Sequence, residues 1–223
     1  LYELDDSRRK YAHFANAGYN DTEYVKGYKL DRNLSDKQFK VYTKGNKLVY
    51  SIRGSAVAKD FLISDVQIAL GHQNNQQMRE ARAKFDQIQA KYPDMQKTVV
   101  GHQARPDSLA GLTAARLKVE EGDEIQRAYS YNPGSSPLGG EEYQNYLRES
   151  FGSDGVYVTA KEGDAVSASM LDMANDIQVV RGSGKMKDTV DNHFMSNFIE
   201  NEHIKKIGNL LDEHNVQGKD RVI

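Results

Sequence analysis

One segment constrains the fold of this chain more than any other: Thr98–Leu117, which reads TVVGHQARPDSLAGLTAARL. It begins with a short β-branched run, Thr98–Val100, which is typical of a buried strand. Gly101 and His102 follow, and we expect them to begin a turn. The Ala/Leu-rich stretch Leu109–Leu117 then predicts a helix. A strand that passes through a turn directly into a helix is the building block of an α/β protein.

Strand and helix patterns alternate along most of the chain. Gln76–Lys91 places apolar residues three and four apart and ends before a proline, which predicts a crossover helix. A hairpin turn at Lys44-Gly45-Asn46 is expected between two strands, Phe39–Thr43 and Leu48–Ile52. The other expected elements are helices at Asp5–Ala17, Leu109–Glu121, Glu141–Ser150 and Asn192–Asn215 and strands at Ile125–Ser130, Val156–Thr159 and Ile177–Arg181. This alternation predicts an α/β fold with a mainly parallel central sheet covered by helices on both faces. A length of 223 residues suits one domain, residues 1–223.

Composition excludes several classes of function. The 30 basic and 32 acidic residues give a net charge of −2, so no global field recruits nucleic acid or an anionic membrane. The absence of cysteine excludes disulfides, thiolate metal ligands and cysteine nucleophiles. No H-x-x-x-H or H-E-x-x-H spacing occurs, and we expect neither a metal site nor a cofactor. No apolar run approaches the roughly 18–20 residues of a membrane span, and the N-terminal residues are too polar for a signal peptide. We therefore expect a soluble protein without a transmembrane segment.

Several blocks of sequence, in the same order, resemble class 3 (fungal-type) lipases of the α/β-hydrolase fold. Gly101–Leu117 resembles the segment G-H-S-L-G-G-S-L-A of that family, with one residue inserted and Gln103 standing where the serine belongs. The other similar blocks are Val41–Ser55 with its R-G-S ending, the acidic Asp60–Leu70, Ala128–Pro133 followed by Gly134, Val158–Val166, and His193 with Asn197, Phe198 and Ile199. Together they cover about residues 20 to 200, although each block is short.

The resemblance implies an α/β-hydrolase-like fold and a set of catalytic groups. Asp164, in a Gly-Asp step after a predicted strand, matches the catalytic acid. His193 matches the catalytic histidine and follows the acid, as the chain order of this fold requires. Ser55 would contribute to the oxyanion hole through its backbone N–H and its hydroxyl. Each residue also has a structural interpretation: a solvated loop acid, a surface or capping histidine, and a serine that closes a turn.

The nucleophile is where the sequence departs from the family. An amide is no nucleophile, so Gly101, His102 and Gln103 describe a degenerate nucleophile elbow. Ser108 is the only hydroxyl nearby and is the candidate for a displaced nucleophile. Pro106 restricts the backbone just before it, and the alternative role of Ser108 is to cap the following helix. His102 is expected to be a packed or hydrogen-bonded structural residue.

Two functions are therefore compatible with the sequence. One is a degenerate, inactive lipase homologue with a structural or binding role, whose partners are proteins in a larger assembly. The other is an active serine esterase or lipase that hydrolyses acyl esters of the triacylglycerol or phospholipid class through Ser108. The missing serine favours the first, because its loss costs activity by orders of magnitude while leaving folding intact. The resemblance extends to lipase-like proteins of large DNA viruses, which implies a cytoplasmic or virion-associated protein.

Overall fold

A computed structural model describes residues 5–53, 76–102, 110–133, 141–161 and 172–180 of the chain. Within these ranges eight strands form one sheet whose spatial order is their order along the chain. The strands are β1 (Tyr24–Val25), β2 (Tyr28–Leu30), β3 (Phe39–Lys44), β4 (Lys47–Arg53), β5 (Gln96–His102), β6 (Arg127–Tyr131), β7 (Val156–Lys161) and β8 (Asp176–Val180). Strands β1 to β4 pair antiparallel, and β4 to β8 pair parallel. The prediction of a mainly parallel sheet is confirmed.

Four described helices cover both faces of this sheet, as the sequence predicts. They are α1 (Asp6–Ala17), α2 (Gln76–Lys91), α3 (Ala110–Glu121) and α4 (Glu141–Phe151). Helix α1 packs on one face, and α2, α3 and α4 pack on the other. Asp5 caps α1, since its carboxylate accepts a hydrogen bond from the backbone N–H of Arg8 at 2.7 Å. Helix α2 has the bounds that the sequence predicts.

The core on the α1 face is rich in aromatic rings. Phe14 of α1 is fully buried and meets Tyr28 and Tyr42 edge to face, with ring centroids 5.0 and 5.6 Å apart. Tyr11 stacks on Tyr129 of β6 at 4.4 Å. Burial of each such side chain contributes about 1.5–3 kcal/mol, so these contacts fix α1 firmly across the sheet.

On the opposite face the core is mainly aliphatic. Phe85 and Ile88 of α2 and Leu117 of α3 pack against the central strands, where Val99 and Tyr50 are completely buried. Helix α4 packs a third group of apolar residues beside α3 and β7. Small residues face the sheet along α3, which brings this helix close to the strands beneath it.

Asp31, just after β2, links the antiparallel part of the sheet to α2. Its carboxylate accepts hydrogen bonds from the Lys91 ammonium at 2.7 Å, the Tyr92 hydroxyl at 2.6 Å and the backbone N–H of Leu34 at 3.2 Å. Burial alone would raise the pKa of Asp31, but these hydrogen bonds outweigh it and hold the pKa below its ordinary value.

Several element boundaries differ by one or two residues from the sequence-based expectation, among them the end of β5 and the start of β6. Gly101 and His102 do not begin a turn; they are the last residues of β5 and pair with β4 on one side and β6 on the other. Strand β6 begins at Arg127 rather than at Ile125, because a short 3-10 turn at Gly122–Glu124 precedes it. The predicted helix at Asn192–Asn215 and the block at Asp60–Leu70 lie outside the described residues.

Candidate active site at the carboxyl edge of the sheet

Five residues at or near the carboxyl ends of the parallel strands are aligned in one row. Its members, each paired in register with the next, are Arg53, His102, Tyr131, Thr159 and Gln178. Side chains in register on neighbouring parallel strands point to the same face, and here that face carries α1. In open α/β sheets ligands bind at this carboxyl edge, so the row marks the side of the molecule on which a site is expected.

The predicted catalytic residues follow these strand ends along the chain. Ser55 comes two positions after the end of β4, and Gln103 comes directly after β5. Ser108 precedes the described start of α3 by two positions, Asp164 follows β7, and His193 follows β8. All five lie outside the described residues, so their assignments stay predictions. Gly101 and His102 are described, and they carry the geometry of the candidate site.

Strand β5 and helix α3 touch at Gly101. A Cβ atom built on Gly101 would lie 2.1 Å from the carbonyl oxygen of Ala110 and 2.6 Å from its carbonyl carbon. It would also lie 3.1 Å from the Cβ of Ala114. Real Cβ atoms do not approach backbone atoms so closely, so only glycine fits here. Residues 102–109 therefore connect two points of the chain that are in direct contact.

The first turn of α3 is equally close to β6. A Cβ on Gly111 would lie 2.6 Å from the hydroxyl oxygen of Ser130 and 3.2 Å from the Cβ of Pro133. That hydroxyl is buried and has no hydrogen-bond partner among the described residues, as is also true of the Thr113 hydroxyl on α3. Small residues at the start of the helix thus seat it over the ends of both central strands.

His102 is a buried, hydrogen-bonded residue on the α1 face. Its Nδ1 lies 2.9 Å from the Tyr19 hydroxyl oxygen, and only 2 % of the residue's surface is exposed. The same hydroxyl lies 3.4 Å from the backbone carbonyl oxygen of His102. The expectation that His102 packs and forms hydrogen bonds is confirmed.

Arg53 ends β4 beside His102 and is held mainly by its backbone. Its N–H donates to the carbonyl of Gln38 at 2.8 Å, and its carbonyl accepts from the Gln77 amide at 3.3 Å. Its guanidinium lies over the ring of Tyr19 at 5.1 Å, and its buried Nε has no hydrogen-bond partner in the part of the chain that the structure describes. Within the described ranges the charged group of Arg53 thus makes a cation–π contact with Tyr19.

Asn132 turns the chain away from the end of β6. It is completely buried, its φ is 46°, and its N–H donates to the carbonyl of Thr159 at 2.7 Å. A left-handed conformation is costly for most residues and tolerable for asparagine, and such residues concentrate at functional sites. In the sequence, Asn132 is distinguished only as part of the block Ala128–Pro133. The signal that could have indicated its conformation is an asparagine before a proline at a predicted strand end.

Helix α1 is tied to the remaining parallel strands, β6 to β8, through Arg8, a buried residue that sequence reasoning missed. Its Nε donates to the Thr159 hydroxyl at 3.1 Å, and its guanidinium pairs with Asp5 at 2.6 Å and Asp176 at 2.5 Å. The Tyr131 hydroxyl donates to the backbone carbonyl of Arg8. Burial raises the pKa of Tyr131 well above its ordinary value, so this hydroxyl keeps its proton.

Neither a metal nor a membrane span is indicated in the described ranges. They contain no group of three or more His, Cys, Asp or Glu side chains placed to hold an ion. No helix among them combines the length and the apolar character that a membrane crossing requires.

Comparison with known proteins supports the fold. Neither a protein-family model nor a curated protein matches the sequence. A mutant form of MDLA from Penicillium cyclopium is similar in structure, with a TM-score of 0.51 at 13% sequence identity over 88% of this chain and 97% of that chain. Est1E from Butyrivibrio proteoclasticus has a TM-score of 0.40 at 12% identity, over 86% of this chain and 96% of that one. With the sheet described above, the likeness to MDLA shows an α/β-hydrolase-like fold.

Proposed function

We propose that this protein is a lipase-type hydrolase of acyl esters whose nucleophile is Ser108. The observation that carries the proposal is the contact between Gly101 at the end of β5 and Ala110 at the start of α3. The sequence alone favours an inactive homologue over an active esterase. The contact favours the esterase, because it indicates that the nucleophile position lies at Ser108 and not at Gln103.

In a nucleophile elbow the strand and the helix close on each other around the serine, so the residues on either side of it must be small. Gly101 and Ala110 make such a contact. Ala110 comes two positions after Ser108, which is the spacing of the second small residue in G-x-S-x-G. On this interpretation residues 103–107 are an insertion ahead of the serine, and Gln103 does not replace it.

The proposed reaction is acyl transfer in two steps. The Ser108 oxygen attacks the ester carbonyl carbon while His193 accepts the serine proton, and Asp164 holds the histidine in the required tautomer. Donors that include Ser55 stabilise the negative oxygen of the tetrahedral intermediate. Collapse of the intermediate expels the alcohol, which takes the proton from His193, and water then releases the acid from Ser108 by the same route. The substrates are acyl esters of the triacylglycerol or phospholipid class, and no cofactor takes part.

A second candidate is a binding or structural role without catalysis, with proteins as partners. It is favoured by Gln103, which stands directly after the end of β5, where the class 3 lipases that the sequence resembles carry their serine. On this interpretation the small residues at the junction preserve packing only.

Ester hydrolysis by the purified protein separates the two. We expect turnover of a short and a long p-nitrophenyl ester, with losses on the order of 1000-fold or more in Ser108→Ala and His193→Ala. Gln103→Ala is the matched control, because it alters the same connection and is expected to leave turnover unchanged.

Two results would contradict the proposal. The first is a protein that melts cooperatively but shows no turnover above background. The second is a gain of activity in Gln103→Ser, since that gain would place the nucleophile position at residue 103. Either result would favour the second candidate.

A further inference from the structure

We propose that Tyr19 is a positioning residue that ties the carboxyl end of β4 to the carboxyl end of β5. The inference rests on the proposed function, because the segments that leave these two strands carry Ser55 and Ser108. Tyr19 would hold Arg53 and His102, the residues from which those segments start, at a fixed distance from each other.

A single side chain contacts both strand ends. The Tyr19 hydroxyl meets His102 of β5 at its ring Nδ1 and at its backbone carbonyl, at 2.9 and 3.4 Å. The Tyr19 ring lies beneath the guanidinium of Arg53 of β4 at 5.1 Å. Arg53 and His102 are register partners, so Tyr19 bridges the last pair of residues in the β4–β5 ladder.

The two contacts of the Tyr19 hydroxyl determine where the protons lie. A tyrosine hydroxyl has one proton to donate, and a carbonyl oxygen can only accept. Both contacts are hydrogen bonds at once only if the hydroxyl donates to the carbonyl of His102 and receives a proton from the ring. His102 must then carry a hydrogen on Nδ1.

Two sets of hydrogen bonds fix the position of Tyr19: one joins it to the end of α1, and the other joins α1 to β4. Its N–H donates to the carbonyl of Asn16 at 3.1 Å, so it continues the last turn of the helix. The Ser51 hydroxyl of β4 donates to the carbonyl of Phe14 at 2.8 Å, which fixes this turn to the strand. Gly18 allows the close approach, since a Cβ there would lie 3.3 Å from the Ser51 hydroxyl oxygen.

Loss of the hydroxyl should therefore affect the chemical step more than substrate binding. Catalysis depends on the distance between the oxyanion donors and the nucleophile, and a displacement of about 1 Å can cost a hundredfold in rate. In Tyr19→Phe we expect kcat to fall by about tenfold or more while KM changes little.

The test compares Tyr19→Phe with Tyr42→Phe. Tyr42 is buried where Tyr19 is partly buried, and it likewise donates its hydroxyl to a backbone carbonyl, that of Thr22 at 3.0 Å. It lies on β3, in the antiparallel part of the sheet. Both variants are measured for kcat and KM on the same ester. The ring nitrogens of His102 are observed by NMR in protein labelled with nitrogen-15 at histidine. We expect the hydrogen on Nδ1 in the parent protein and in Tyr42→Phe, and its loss from that fixed position in Tyr19→Phe.

The readouts separate failure of this inference from failure of the proposed function. An active parent protein with an unchanged kcat in Tyr19→Phe would overturn the inference and leave the hydrolase proposal standing. A parent protein without esterase activity would overturn the hydrolase proposal, and the NMR result then decides the role of Tyr19. Unchanged His102 ring nitrogens in Tyr19→Phe would overturn that role, and altered ones would support it.

Discussion

Replacing Gly101 by alanine tests the junction on which the proposed function depends. The new methyl group would lie 2.1 Å from a backbone oxygen and 2.6 Å from a backbone carbon, both in Ala110. These atoms belong to the first turn of α3, which is itself packed against β6 through Gly111. The clash cannot be relieved by rotating a side chain, so strand and helix must separate.

The size of the effect follows from these distances. An ordinary contact needs about 3.4 Å, so α3 must retreat by about 1 Å from β5, and overpacking of this kind costs about 3 kcal/mol. For a protein of this length the melting temperature should fall by roughly 6–12 °C. Gly18→Ala is the matched control: a Cβ there meets its nearest neighbours at 3.2 and 3.3 Å, and we expect a cost below about 1 kcal/mol.

Thermal and urea unfolding followed by circular dichroism measure both variants. A melting temperature for Gly101→Ala within about 2 °C of that of Gly18→Ala would refute the reasoning, because the two variants would then differ by less than about 1 kcal/mol instead of the roughly 2 kcal/mol or more that the clash predicts. The contact between Gly101 and Ala110 would then no longer support Ser108 as the nucleophile.

Three further predictions concern the groups around the site. Arg8→Met should lower the free energy of unfolding in urea by about 2–3 kcal/mol, because it leaves buried hydrogen-bonding partners unsatisfied. The control Arg32→Met breaks an exposed ion pair with a 3.9 Å separation and should cost less than about 1 kcal/mol. Ser51→Ala should cost about 1 kcal/mol because it removes a buried hydrogen bond. Ser130→Ala should be neutral or stabilising because its hydroxyl has no partner among the described residues, and equal losses in the two variants would contradict this. The lowered pKa of Asp31 contributes stability that is present above its unfolded pKa and is lost as the pH falls through the folded pKa. Unfolding between pH 2 and pH 7 should therefore show a weaker acid dependence in Asp31→Asn than in the parent protein.

Local sequence patterns predict the elements whose bounds depend on interactions between residues close together in the sequence. Helix α2 has the expected bounds because its apolar periodicity is unbroken and Pro93 follows it. The hairpin between β3 and β4 is also confirmed, with Gly45 at a φ of 58°, a conformation that glycine adopts without strain.

The end of β5 could not be predicted in this way. Gly101 has a poor strand propensity, and the β-branched run stops before it. The ladders to Ile52 on one side and Ser130 on the other extend the strand to His102. Hydrogen bonds to the two adjacent strands extend a central strand, and residue propensities take no account of those bonds.

The residues that organise the candidate site were missed for a related reason. Arg8 bonds to a residue 151 positions away, and Tyr19 bonds to one 83 positions away. Nothing in the sequence around either residue indicates such a partner, and an arginine on a helix is ordinarily solvated. Ser55, Asp164 and His193 rest on resemblance and chain order and remain predictions.

The most direct test of the central claim is covalent labelling with a fluorophosphonate, followed by mass spectrometry of the peptides. An activated serine displaces fluoride and keeps the phosphonyl group, whereas ordinary serines react too slowly to be labelled. We predict a single adduct on Ser108 that is absent from Ser108→Ala and strongly reduced in His193→Ala. A folded protein that acquires no adduct, or that is labelled at another serine independently of His193, would contradict the account.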